Sequence, residues 1–170
     1  MKALIISADN FEDSELLYPY YRLKEEGVEV DIASIKKGAI KGKHGYEVDA
    51  NKDLSEINAA EYDLLLLPGG RAPEKIRKEK EAIEIAKYFF GNNKPVSAIC
   101  HGPQILITAG LLKGRHATCS KSVAQELKEA GAFYEDMEAV VDRNLVNSRR
   151  PSDLPAFMKE TIKLLKKVSP

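Results

Sequence analysis

The sequence predicts an α/β fold built on a mostly parallel sheet covered on both faces, and three observations carry that reading. Short apolar runs without alternation, at residues 3–6, 64–67 and 95–99, read as strands buried on both sides. Segments with apolar residues at helical spacing separate them. Turn-forming or polar residues follow the runs at Asp9-Asn10, Pro68-Gly69-Gly70 and Cys100-His101. Strands alternating with helices imply parallel pairing through right-handed crossovers. Ligands in such folds bind at the carboxyl ends of the strands, which makes those three turns expected neighbours, with Cys119-Ser120 a further candidate.

Taken in order, the strand at 3–6 is followed by Leu16, Leu17, Tyr20 and Leu23 at helical spacing within residues 14–26, and Gly27 stands where that helix ends. Val28, Val30 and Ile32 alternate with Glu29 and Asp31, as in a strand with one wetter face nearer the sheet edge. Gly38, Gly42 and Gly45 punctuate a stretch carrying Ile40, Tyr46 and Val48, which reads as a β-hairpin with no expected chemistry. Residues 64–67 form a central strand. Pro73 falls in the first turn of a helix expected to run to about Phe90, with Ile76, Ile83, Ala86 and Phe90 as its apolar stripe. A buried strand at 95–99 passes into a helix over 102–109 with almost no loop. A short strand at 115–119, a helix near 122–130, strands near 139–141 and 145–147 and a helix after Pro151 complete one domain spanning residues 1–170.

A chain of 170 residues can bury about 70% of its unfolded surface, so neither a metal nor a disulfide is needed to hold it together, and no cofactor is called for. Basic and acidic side chains balance at 26 each, which removes the diffuse attraction on which nucleic-acid binders rely. No apolar run approaches the ~20 residues of a membrane span, and the amino terminus has no signal-peptide pattern. The expected location is the cytoplasm, with no nucleic-acid scaffold role and no membrane association. A Lys- and Glu-rich, Gln-poor composition is of the kind found in heat-adapted proteins.

Cys100 lies where a buried strand must turn into a helix within one or two positions, the geometry of a nucleophile elbow. The helix behind it aims its positive end at the sulfur, so the thiol pKa is expected to fall. His101 can exchange a proton with the thiol, and its backbone N–H is placed for an oxyanion hole. The bland alternative is a buried structural cysteine with a polar neighbour. Gly69 and Gly70 serve any strand-to-loop turn, but their unobstructed amides can also approach an oxyanion. Among the acidic residues opening the first helix, Glu12 is the candidate for the same crevice. Asp13 and Ser14 read as capping residues and Glu15 as a solvated first-turn charge. A carboxylate beside a cysteine either stays protonated and donates a hydrogen bond or raises the thiol pKa by repulsion, and the residues leave both open.

Glu12 after the first strand, Leu67-Pro68-Gly69-Gly70, and Ala98-Ile99-Cys100-His101-Gly102-Pro103 together resemble the DJ-one/PfpI superfamily, and most closely its PfpI-type intracellular cysteine protease branch. The resemblance covers essentially the whole chain, including Lys43-His44-Gly45, Arg71-Ala72-Pro73-Glu74 and Ser148-Arg149. It implies a flavodoxin-like three-layer α/β/α sandwich, shared with class I glutamine amidotransferases. It also implies Cys100 as nucleophile with His101 beside it, Glu12 hydrogen-bonded to the cysteine, and Gly70 and His101 lending amides to the oxyanion. A glutamate from a neighbouring subunit, matched here by Glu74, would complete a Cys-His-Glu triad in a homo-oligomer, typically a hexamer assembled as a trimer of dimers. Read from the residues alone, Glu74 is a first-turn helix charge.

The expected activity is that of a cysteine-dependent hydrolase of the PfpI type acting on a peptide. The alternative is a glutathione-independent glyoxalase or protein deglycase acting on a small aldehyde such as methylglyoxal or its adducts; a thiol beside a carboxyl in a small crevice suits a small aldehyde better than an extended peptide. A non-enzymatic redox sensor or chaperone is a reading of another class. A glutamine amidotransferase would need a distal His-x-Glu, which neither His44-Gly45-Tyr46 nor His116-Ala117-Thr118 supplies. Cys119 ends the strand after the elbow helix and is a possible redox partner for Cys100, against the plainer reading of a free thiol. His116 with Cys119 has no second pair at ligand spacing, so no metal site is expected, and His44 reads as hairpin surface or subunit contact.

Overall fold

The computed structural model describes residues 1–168. The chain runs β1 (Lys2–Ile6), α1 (Asp13–Glu25), β2 (Glu29–Ser34), the hairpin strands β3 (Gly38–Lys41) and β4 (Glu47–Ala50), β5 (Lys52–Asp53), β6 (Leu64–Leu67), α2 (Ala72–Ile76) and α3 (Lys80–Gly91). It continues through β7 (Val96–Ile99), α4 (Pro103–Thr108), β8 (His116–Ala117), α5 (Ala124–Glu129), β9 (Phe133–Tyr134), β10 (Val140–Asp142), β11 (Leu145–Ser148) and α6 (Leu154–Val168). Seven strands form the central sheet in the order β10-β11-β7-β6-β1-β2-β5. Every neighbouring pair is parallel except β10 with β11.

The apolar runs occupy the middle of this sheet because both faces are covered. Leu64 to Leu67 in β6 have no exposed surface, nor do Ala3, Leu4 and Ile5 in β1 or Val96, Ala98 and Ile99 in β7. At about 2 kcal/mol for each buried leucine side chain, the four leucines of β6 contribute about 8 kcal/mol of hydrophobic stabilisation. The register sets Ile5 opposite Leu66 and Leu67 opposite Ala98, so β1, β6 and β7 end at one edge of the sheet and bring the residues after them together. Among the described residues, no helix is long and apolar enough to cross a membrane.

Three expectations change. The single helix expected from Pro73 to about Phe90 is two, α2 and α3, separated by a turn in which the Glu79 amide bonds Ile76 O at 3.0 Å. No Pro or Gly marks the break. The break rephases the buried face, so that Ala82, Ile85, Ala86 and Phe89 point inward while Ile83 and Phe90 are only half-buried. The strand near 115–119 lies outside the main sheet: β8 pairs in parallel with β9, a two-residue strand that the sequence pattern does not announce. Asp31, placed by alternation on a wetter face, is buried; it accepts from Tyr62 Oη at 2.7 Å and Asn51 Nδ2 at 2.7 Å and pairs with Lys2 Nζ at 3.0 Å. Burial raises its pKa, but the three hydrogen bonds outweigh that and hold the carboxyl below its ordinary value.

Candidate active site

The chain leaves β7 and reverses within two residues. Cys100 adopts φ 62°, the left-handed region that a side chain with a Cβ rarely enters, at a cost of about 1–2 kcal/mol. Hydrogen bonds around it hold that conformation: Cys100 N to Ser148 O at 3.0 Å, Gly102 N to Ile99 O at 2.8 Å and Ser120 N to Cys100 O at 2.9 Å. Only glycine fits at 102, since a Cβ there would collide with the Leu67 carbonyl. The second wall is the turn after β6. Gly70, at φ 80°, bridges to Phe11, while Glu12 N donates to Gly69 O at 3.1 Å and Arg71 N to Asn10 O at 2.8 Å. The backbone amides of Gly70 and His101 both act on the Cys100 thiol to lower its pKa, so two donors face the sulfur from the two walls.

The acid beside the sulfur is Glu15, and this corrects the reading of Glu12. Glu15 has no exposed surface; its Oε1 accepts the Gly69 amide at 2.9 Å, and Oε2 has no hydrogen-bond partner among the described residues. Burial pushes its pKa up to about 8, so it is protonated at neutral pH. Glu12 instead pairs with Lys43 Nζ at 2.7 Å and His44 Nε2 at 3.2 Å, at the hairpin for which no chemistry was expected. Asp13 is no helix cap either. Its two carboxylate oxygens accept the amides of His44 and Tyr46, each at 3.0 Å, and anchor that hairpin against α1. A signal for Glu15 was present: it precedes Pro19 by one turn and Leu23 by two, on the line that α1 buries.

The thiol also departs from expectation. Burial, and then Glu15 once it ionises at alkaline pH, push Cys100 up to about 12, although the Gly70 and His101 amides and Lys43 pull the other way. The helix behind the elbow, α4, is only six residues long and offers little dipole against that desolvation. The resting sulfur is therefore a neutral thiol, and it needs a base. His101 Nδ1 lies 3.2 Å from Cys100 Sγ. Burial holds the imidazole below its ordinary value of 6.5, so it is neutral at pH 7 and free to accept the proton.

Glu74, in the first turn of α2, is exposed; its charge favours protonation of His101, yet the two form no ion pair within the chain among the described residues. Cys119 is a free thiol, as is Cys100; it is fully buried and pushed up to about 12, first by burial. An uncharged, enclosed thiol is a poor exchange partner, which weakens the redox-pair reading despite the backbone bond joining Ser120 to Cys100. Lys43, absent from the expected set, couples to Glu12, Glu15, Cys100 and His101 through its charge. Among the described residues, no three His, Cys, Asp or Glu are grouped to hold a metal.

Comparison with known proteins assigns the chain that carries this strained cysteine and buried glutamic acid to a family. Residues 1–164 match the sequence pattern of the DJ-1/PfpI family. The chain belongs to that family. A Pyrococcus furiosus member named "Deglycase PfpI" is 55% identical over 166 residues, covering 98% of this chain and 100% of that one. YraA of Bacillus subtilis, which carries a provisional cysteine-protease name, is 43% identical over 166 residues, covering 97% and 98%. Among DJ-1/PfpI structures, that of Schizosaccharomyces pombe DJ-1 aligns with a TM-score of 0.89 at 27% identity, covering 100% of this chain and 93% of that one.

Proposed function

We propose that this chain is a cysteine-dependent enzyme acting on aldehyde-derived adducts, in the manner of the family's deglycases, with Cys100 as nucleophile. The observation that carries the reading is the convergence on one sulfur of a neutral imidazole, two backbone amides and a protonated carboxyl. On a dicarbonyl such as methylglyoxal, Sγ bonds to the aldehyde carbon as its proton passes to His101 Nδ1. The oxyanion forms against the Gly70 and His101 amides and then takes up a proton, giving a hemithioacetal. Moving the proton from that carbon to the neighbouring carbonyl carbon, through an enediol, converts it to a thioester of lactate. Water releases lactate and restores the thiol. Glu15, titrating near 8, suits the proton shuttle between the two carbons. On an amine adduct the amine leaves when the thiol takes its place. We place this thiol chemistry in the cytoplasm, where thiols stay reduced.

A peptide carbonyl could meet the same thiol and amides, and the name of YraA favours that as the second reading. We further propose that Glu74 approaches His101 of another copy in a homo-oligomer, a hexamer in the form the resemblance implies; its exposure supports this, and light scattering on wild type and Glu74→Arg tests it. The activity test is turnover of methylglyoxal, a glycated amine and a fluorogenic peptide by one preparation, alongside Cys100→Ala. Aldehyde or adduct turnover that vanishes in the variant supports the reading. Turnover of the peptide alone, or turnover retained by Cys100→Ala, overturns it.

A further inference from the structure

We propose that Ser122 is the residue that fixes the working tautomer of His101, from within the same chain. This rests on Cys100 as nucleophile and His101 as its base, and adds what orients that base. Ser122 Oγ lies 2.9 Å from His101 Nε2, and Ser120 Oγ lies 3.2 Å from Ser122 Oγ. An imidazole that takes the thiol proton at Nδ1 must carry its own hydrogen at Nε2, and a hydroxyl oxygen facing Nε2 stabilises that form. After the transfer both ring nitrogens carry hydrogens; Nε2–H still donates to Ser122 while Nδ1–H faces the thiolate. The hydroxyl accepts from Nε2 before and after the step, so nothing need reorganise during it.

The geometry is held from both sides. Ser122 sits in the 3-10 turn Lys121–Val123; Val123 is buried and its amide bonds Ser120 O at 2.9 Å, while the Ser120 amide bonds the carbonyl of Cys100 itself at 2.9 Å. The hydroxyls and the backbone thus close a circuit through the elbow. The turn that carries the positioning group moves with the nucleophile rather than with a distant loop. The Ser122 hydroxyl already faces the Nε2 edge of the ring within the single chain, so a carboxylate brought near His101 by another copy acts on an imidazole oriented before assembly.

The test uses the full-length protein, 15N-labelled at histidine. NMR shifts of the His101 ring read the tautomer, and the rate of Cys100 alkylation by iodoacetamide, followed across the acid-to-alkaline range, reads base function without any assumption about substrate. Wild type is expected to show the Nε2–H form. Ser122→Ala, an exposed position whose truncation leaves the core untouched, is expected to mix the tautomers and slow neutral-pH alkylation about fivefold; Ser122→Thr restores both. On a turned-over substrate, kcat falls with KM unchanged. A wild-type Nδ1–H tautomer, a Ser122→Ala rate profile superimposed on wild type, or a Ser122→Thr as slow as Ser122→Ala would each overturn the proposal. If aldehyde turnover is absent while tautomer and alkylation respond to Ser122, the substrate reading falls and this one stands.

Discussion

The proton on Glu15 should be visible in the stability of the protein. Glu15 has no exposed surface, and its pKa rises from an ordinary 4.5 to about 8 with burial as the largest cause. Unfolding returns the carboxyl to water, where it gives up its proton above 4.5, whereas the native state keeps it to about 8. Between those values the folded chain binds one more proton. The stabilisation is therefore full below the unfolded pKa and is lost as pH rises through the folded one. At about 1.36 kcal/mol for each tenfold in proton affinity, the displacement corresponds to about 5 kcal/mol. The carboxyls held below their ordinary 3.8, Asp31 and Asp142, titrate at more acid pH, while His101, held below 6.5, titrates inside the window in wild type and variant alike and cancels in their difference. Glu15→Gln keeps an acceptor for the Gly69 amide and removes the titration. Guanidinium chloride unfolding, repeated at intervals from about pH 4 to about pH 9, should show near-equal stability at the acid end and a variant several kcal/mol more stable than wild type at the alkaline end. Curves that run parallel across the window would refute the burial argument.

Four further outcomes are expected. Gly69→Ala puts a methyl 2.5 Å from Glu15 Oε1, 2.7 Å from Cys100 Cβ and 3.0 Å from the His101 amide nitrogen; a loss of about 1–3 kcal/mol in chemical unfolding and a Cys100 alkylation rate lower by about one to two orders of magnitude should follow. Cys100→Gly relieves the φ 62° strain that Cys100→Ala retains, so the glycine variant should unfold about 1 kcal/mol later than the alanine variant, while both lack turnover; equal midpoints would show the elbow unstrained. Asp13→Ala frees the amides of His44 and Tyr46, and hydrogen exchange should lose about 1–3 kcal/mol of protection there, leaving β6 unaffected. Because burial holds His101 below 6.5, the acid limb of the alkylation rate should have its midpoint under that value; a midpoint above it argues against His101 as the base.

Sequence by itself determined the sheet and the place of Cys100 at its edge. Runs such as Leu64 to Leu67, short, unbroken and ended by a Pro-Gly-Gly turn, fit a strand buried on both faces, and the runs of β1, β6 and β7 announce the centre of the sheet. A cysteine between such a strand and a helix start has no room except in a sharp turn, which is why Cys100, His101 and the Gly69-Gly70 wall were legible from local pattern. Tertiary structure decided the carboxyls. Glu12, Asp13 and Glu15 are three acids within four residues, alike in chemistry and adjacent in sequence. Which one loses its water depends on where α1 lies against Gly69 and on where the hairpin folds back, and both are set by contacts between residues about 30 to 55 positions apart. The same holds for the thiol, whose pKa rises because desolvation exceeds what two amides and a six-residue helix return. Ser122 reaches His101 only because the segment after β8 is tied back to the elbow. Local pattern places the cysteine; the protonation states around it are properties of what the fold packs there.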